Sequence, residues 1–155
     1  MVLPIGATID LFDTQVLVSA ATTALIAADG FSLPADVVSG NWTNTDDAKE
    51  AAITLEGTFA TAPTSFGVIN LYARFMDIRS NNDSPQPDAS FPYSYLGAFP
   101  IDTVNTLQAI PLIIGLDNVK TSQVYQFYIE NKTSASLSAN WALYLTPKGV
   151  GQKTA

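Results

Sequence analysis

The sequence predicts an all-β fold, an antiparallel two-sheet β-sandwich of jelly-roll or Greek-key type with about eight or nine strands. Three observations predict it. Apolar residues recur with a period of two in segment after segment, turn signals such as Asp29-Gly30, Ser39-Gly40 and the 62–65 stretch Ala-Pro-Thr-Ser separate those segments, and no run of helical period alternates with them. Each alternating segment has one apolar row to hide, and two sheets packed face to face hide them all.

Taken in order, 8–12 (TIDLF) and 15–20 (QVLVSA) read as short strands, and 36–43 (DVVSGNWT) as a third. The one stretch with helical features is 44–52 (NTDDAKEAA), at most a single turn, with Asn44 or Thr45 as cap and Asp46 and Asp47 in the first turn. Segment 51–59 buries Ile53, Leu55 and Phe59 and turns Thr54, Glu56 and Thr58 outward. Segment 67–75 places Ile69, Leu71, Ala73 and Phe75 inward against Asn70, Tyr72 and Arg74. The stretch 79–95, with three prolines and little periodicity, is a long loop of the kind that contacts something. Residues 94–99 form another short strand. In 106–114, Ile110, Leu112 and Ile114 face inward, and Pro111, which cannot donate to a ladder, assigns the strand to a sheet edge or a bulge. Segment 123–131 buries Tyr125, Phe127 and Ile129 and exposes Gln126, Tyr128 and Glu130. The last strand, 136–145 (SLSANWALYL), aligns Leu137, Ala139, Trp141, Leu143 and Leu145 on one face.

At 155 residues the chain has the size of one domain, and 1–155 reads as a single β-sandwich domain, with 1–20 a candidate extended N-terminal arm. Charged residues are 14% of the chain and apolar ones 47%, where a charged share of roughly 25% is usual. Ser, Thr, Asn and Gln must therefore cover the surface, which suits a surface meant to lie against other protein. The formal charge is −7, and the seven basic residues are scattered, so no basic stripe exists to neutralise phosphates and no nucleic-acid partner is expected. The apolar stretch 16–28 follows Asp10 and Asp13 with no basic residue before it, unlike a secretory signal, and no apolar run has the length of a membrane span. The expectation is a protein that is made and stays soluble, with no membrane partner.

The chain has neither histidine nor cysteine, which removes Ser-His-Asp triads, thiol nucleophiles, imidazole bases, disulfides and the usual zinc ligands. Carboxylates remain, but most of the aspartates (Asp29, Asp36, Asp83, Asp88, Asp117) sit at turn signals, where backbone geometry explains them. The oxygen-rich stretches 44–47 and 81–88 do not match a spaced calcium loop. The glycines are isolated, so no phosphate-cradling loop is present. The expectation is no enzyme, no catalytic or metal residue and no cofactor. Trp42, Phe91, Tyr93 and Tyr95 border loops and are candidate partner contacts; as a glycan platform they would instead make the chain a carbohydrate-binding or tail-fibre-associated module. Val2, Leu3 and Ile5, apolar at a terminus, are the other candidate contacts, with strand pairing inside their own sheet as the alternative. The sequons at Asn41, Asn82 and Asn131 matter only in a secretory pathway.

The segments 56–75 (EGTFATAPTSFGVINLYARF), 93–102 (YSYLGAFPID) and 125–149 (YQFYIENKTSASLSANWALYLTPKG) resemble the small capsid decoration, or cement, proteins of tailed bacteriophages. The shared features are the Gly-Thr-Phe-Ala-Thr-Ala-Pro turn, the Leu-Gly-Ala-Phe-Pro edge, and Tyr-Ile-Glu-Asn-Lys-Thr before an alternating last strand. The resemblance runs from near 50 to near 149, leaves 1–45 unmatched and carries no catalytic or metal residue. It implies a virion structural protein on the capsid exterior, assembled in the host cytoplasm, bound to the major capsid protein and forming a homo-oligomer, trimer or dimer.

Overall fold

In the computed structural model, which describes residues 8–21, 23–37, 41–65, 67–78, 83–91 and 94–152, the period-two segments pair into nine strands among the described residues. These are β1 (Thr8–Phe12), β2 (Val16–Ala21), β3 (Trp42–Thr43), β4 (Glu50–Gly57), β5 (Gly67–Met76), β6 (Tyr95–Ile101), β7 (Gln108–Gly115), β8 (Val124–Asn131) and β9 (Trp141–Gln152). They form a β-sandwich: one sheet has the order β1-β9-β4-β7 with β2 also on β9, and the other has the order β3-β8-β5-β6. Every pairing is antiparallel, and the pairs nest, β5 with β6, β4 with β7, β3 with β8, and β2 with β9. Among the described residues no helix is long and apolar enough to cross a membrane.

β1 and β2 lie end to end along β9, and Pro147 explains the gap between them. Its carbonyl accepts the Asp13 N–H at 3.1 Å. In a strand the N–H and C=O of one residue point the same way, so the donor that proline lacks faces this break. Pro111 sits in β7, the last strand of its sheet, in unbroken register with β4. That is the edge placement its missing N–H requires.

The core fills the space between the sheets. From the five-stranded sheet Ala51, Ile53, Leu55, Trp141, Leu143 and Leu145 meet Ile69, Leu71, Ala73, Tyr125, Phe127 and Ile129 of the other, with Phe99, Ile101 and Ile114 at the margins. Ser19 fastens the two sheets at one edge, its hydroxyl donating to the Phe127 carbonyl at 2.7 Å beside a bulge in β2. Gly97 has φ 156 at the β5–β6 register shift, and a side chain there would meet Leu112 of β7 at 2.9 Å.

Three local readings change. The 136–145 row is strand only from Trp141. Asn140 adopts φ 67, a left-handed conformation that asparagine tolerates, and the chain turns a corner there while Leu137 is buried separately, bridged to Ile26 and Phe59. Within 36–43 only Trp42–Thr43 is strand among the described residues, and Val37 forms an isolated bridge with Ser19. The 44–52 stretch is a turn that leads into β4. Asn44 closes it by accepting from the Ala48 N–H and donating to the Ala48 carbonyl, so its capping chemistry serves a loop. The one short helix among the described residues, a 3-10 turn at Pro34–Asp36, lies where no helix is expected, held by the Asp36 carboxylate on the Leu33 N–H.

Candidate interaction surface

The outward rows of the two sheets are treated differently by the chain. On the four-stranded sheet, Tyr72, Tyr128 and Glu130 point away from the core as expected, yet they are buried, Tyr128 completely and Glu130 to 6% exposure. Segment 29–32 runs antiparallel to 129–131, with backbone hydrogen bonds from Asp29 to Asn131, Asn131 to Gly30 and Ser32 to Ile129. It lays Phe31 on Tyr72 at 5.5 Å between ring centres, and Val37 joins the same small cluster.

The Tyr-Ile-Glu-Asn-Lys-Thr stretch, 128–133, is the clasp for this cover. Glu130 accepts from the Tyr72 hydroxyl at 2.8 Å and from Asn70 at 3.0 Å, and it pairs with Lys132 at 3.0 Å. Lys132 also reaches Asp29 at 3.1 Å. Burial alone would raise the Glu130 carboxyl, but the hydrogen bonds from Asn70, Lys132 and Tyr72 hold it below its usual range. Burial and the Glu130 carboxylate push Tyr72 up to about 12. Asn131, with no exposure, donates to the carbonyls of Ile26, Ala27 and Ala135 and accepts from the Thr133 N–H and hydroxyl. Its sequon is therefore closed to modification in the folded chain. These groups are committed to structure.

The outer face of the five-stranded sheet has no such cover among the described residues. Register places four rows across it: Phe12, Lys148, Glu50 and Gly115; Thr146, Ala52 and Ile113; Leu17, Tyr144, Thr54 and Pro111; Ala20, Ala142, Glu56 and Ala109. In these four rows the charges are the Lys148–Glu50 pair at 3.1 Å and Glu56. Phe12 and Ile113 are 59% and 58% exposed. An open sandwich face ordinarily alternates to polar and charged residues. A contiguous and nearly uncharged face is the mark of a surface that another molecule covers.

Of the aromatic candidates, Trp42 is half-buried and leans on Tyr125 and Phe127 at 5.6 and 6.2 Å, on the inner side of the β3 edge. Tyr95 stands 56% exposed on the outer side at β6, edge-on to Tyr72 at 5.7 Å. Phe91 is 55% exposed in a turn closed by reciprocal Asp88–Phe91 backbone bonds. Trp42 and Tyr95 thus occupy opposite faces and opposite edges of one sheet and do not form a common platform. Val2, Leu3, Ile5 and Tyr93 lie outside the described residues. Of the oxygen-rich stretches, 44–47 is drawn into the Asn44 turn, while Asn81 and Asn82 lie outside the described residues. Among the described residues no three carboxylates converge on a metal-sized site. A shallow depression of about 450 Å³ beside Asp46, Asp47, Lys49, Glu50 and Lys148 mixes both signs of charge.

The uncovered face was not among the candidates that sequence reasoning singles out. The signal was present in the outward positions of 51–59, 106–114 and 141–148, where Ala, Thr, Pro, Ile and Tyr outnumber the charged Glu56 and Lys148. The chain matches no protein-family model and no curated protein.

Proposed function

We propose that the protein is a virion structural subunit, a cement or decoration protein that binds the outside of a tailed-phage head and stabilises it by contact area. The observation that carries this reading is the broad, nearly uncharged face of the five-stranded sheet that no described residue covers, the mark of a subunit that works by assembling over area, on a domain whose clasp residues are spent on rigidity. Binding over area needs a stiff, flat surface more than a pocket. The resemblance supports the same reading, because its motifs fall on parts that fasten the sandwich. Tyr-Ile-Glu-Asn-Lys-Thr is the clasp over β8, and Leu-Gly-Ala-Phe-Pro is β6 with the glycine that admits Leu112. The nested pairing of β2 to β9 supports the jelly-roll form of the sandwich over other Greek keys. Capsid contact falls to the major capsid protein, through exposed Phe91 and Tyr95 and the N-terminal residues.

The test is the copy number of the chain in purified particles of its source, by quantitative mass spectrometry against the major coat protein. Near-equal stoichiometry is expected. A handful of copies would move the chain to the tail or fibres, and absence would remove the virion reading and favour a carbohydrate-binding module.

A further inference from the structure

We infer that the occupant of the uncovered five-stranded face is a second copy of the same chain, stacked sheet to sheet about a twofold axis parallel to the strands and between β4 and β9. The inference deepens the reading above and rests on that face being an interface. An isologous contact requires that whatever lies on one side of the axis suit what lies on the other. Such an axis keeps each row and exchanges its ends, β1/β2 with β7 and β9 with β4.

The rows satisfy that exchange. Lys148 comes over the partner's Glu50 and Glu50 over the partner's Lys148, so the ion pair present in one copy at 3.1 Å becomes a four-charge cluster of alternating sign. Tyr144 meets Thr54, and Leu17 meets Pro111, large against small both ways. The exposed Phe12 ring faces Gly115, where a side-chain atom would have nothing within 4 Å. Ile113 falls toward the gap between β1 and β2. Glu56 faces Ala142 at the rim, in reach of solvent.

Charge puts little in the way of this pairing. Two chains of charge −7 repel, and these four rows contribute one net negative charge with their ion pair made. Four strands about 4.8 Å apart and some seven residues long give a footprint of about 450 Å². Two such faces bury on the order of 1,000 Å², at the lower bound of a specific interface. The pairing is therefore a reversible, concentration-dependent dimer.

The experiment is sedimentation equilibrium of the full chain over a concentration series. A monomer–dimer equilibrium is expected, and Phe12→Asp with Ile113→Asp should weaken it by at least about tenfold. Both positions are exposed in the monomer, so the fold is not at stake. Lys148→Glu should weaken association, and adding Glu50→Lys to the same chain should restore it. Leu33→Asp, comparably exposed but beside the 29–32 segment that covers the other sheet, should leave association unchanged. A chain that stays monomeric throughout, an association that survives the Phe12/Ile113 change, or a charge swap that fails to restore it overturns the pairing. If the Phe12/Ile113 change strips the chain from particles without altering self-association, the face belongs to the capsid and the pairing is likewise overturned. A dimer in solution with no chain in the particles would instead sustain the pairing and overturn the cement reading.

Discussion

Replacing Asn131 with aspartate conserves its shape almost atom for atom, yet should be among the most damaging single changes in this protein. The amide nitrogen of Asn131 donates to three carbonyls, those of Ile26, Ala27 and Ala135, at 2.8 to 3.2 Å, in a site with no solvent exposure. In Asn131→Asp the same position holds an acceptor, and an ionised one, facing three other acceptors. Asn131→Ala sets the baseline. After truncation the Ile26 carbonyl keeps the Leu137 N–H, the Ala27 carbonyl keeps the Gly30 N–H, and the Ala135 carbonyl keeps the Thr133 hydroxyl. Only the Thr133 N–H, held at 3.0 Å, is left without its partner. Five lost bonds with one orphaned donor and a small void amount to roughly 3–5 kcal/mol for the alanine variant. The aspartate variant keeps the Thr133 bonds but adds desolvation of an uncompensated charge, so it should lose more than alanine at neutral pH and recover part of the loss in acid, where the carboxyl is neutral. Urea unfolding followed by tryptophan fluorescence at neutral pH and in mild acid reads both. An aspartate variant as stable as wild type at neutral pH would refute the amide orientation and the clasp built on it.

Trp141→Ala should cost roughly 3–5 kcal/mol by leaving a large void between the sheets, whereas Trp141→Phe, which likewise removes a buried indole N–H without a partner, should cost clearly less because its ring fills most of that void; equal melting temperatures for the two variants would contradict this. Gly67→Ala should destabilise by about 1–3 kcal/mol, because the added carbon would sit 2.7–2.9 Å from the side chain and Cα of Thr133, and an unchanged denaturation midpoint would show that β5 can shift there. The Glu130 carboxyl is held below its ordinary value of 4.5, so it contributes stability above that pH that is lost as pH falls through the lowered folded value. Glu130→Gln should therefore flatten the acid limb of a melting-temperature profile, and parallel profiles would refute the role. Tyr72, Tyr125 and Tyr128 are all raised by burial, so the stability they give is complete below about 10 and lost as pH rises beyond it; their ultraviolet ionisation should coincide with alkaline unfolding and not precede it.

The sandwich was legible because its signal is local. Ile53 and Leu55, Leu71 and Ala73, Phe127 and Ile129 alternate with polar neighbours, and that period survives any detail of topology. Pro111 also announced its edge, for a missing donor has few places to go. What the sequence hid depended on partners far away in the chain. Tyr128 and Glu130 are outward by parity, and only the return of segment 29–32, some hundred residues earlier, makes outward mean buried. The end of the final row at Asn140 is a backbone decision, made by one residue in a left-handed conformation, that side-chain alternation does not record. The uncovered face escaped for a related reason. Ala52, Ala142 and Ile113 look unremarkable one by one, and they make a surface only when β4, β9 and β7 lie side by side.

The central claim is that this chain acts by binding and stiffening a shell. The most direct test is the temperature at which particles release their packaged DNA, measured with the chain present, absent, and added back as purified protein. Particles lacking it should release DNA at a lower temperature, and add-back should restore the original value. Identical release temperatures, with no retention of the added chain on the particles, would contradict the account.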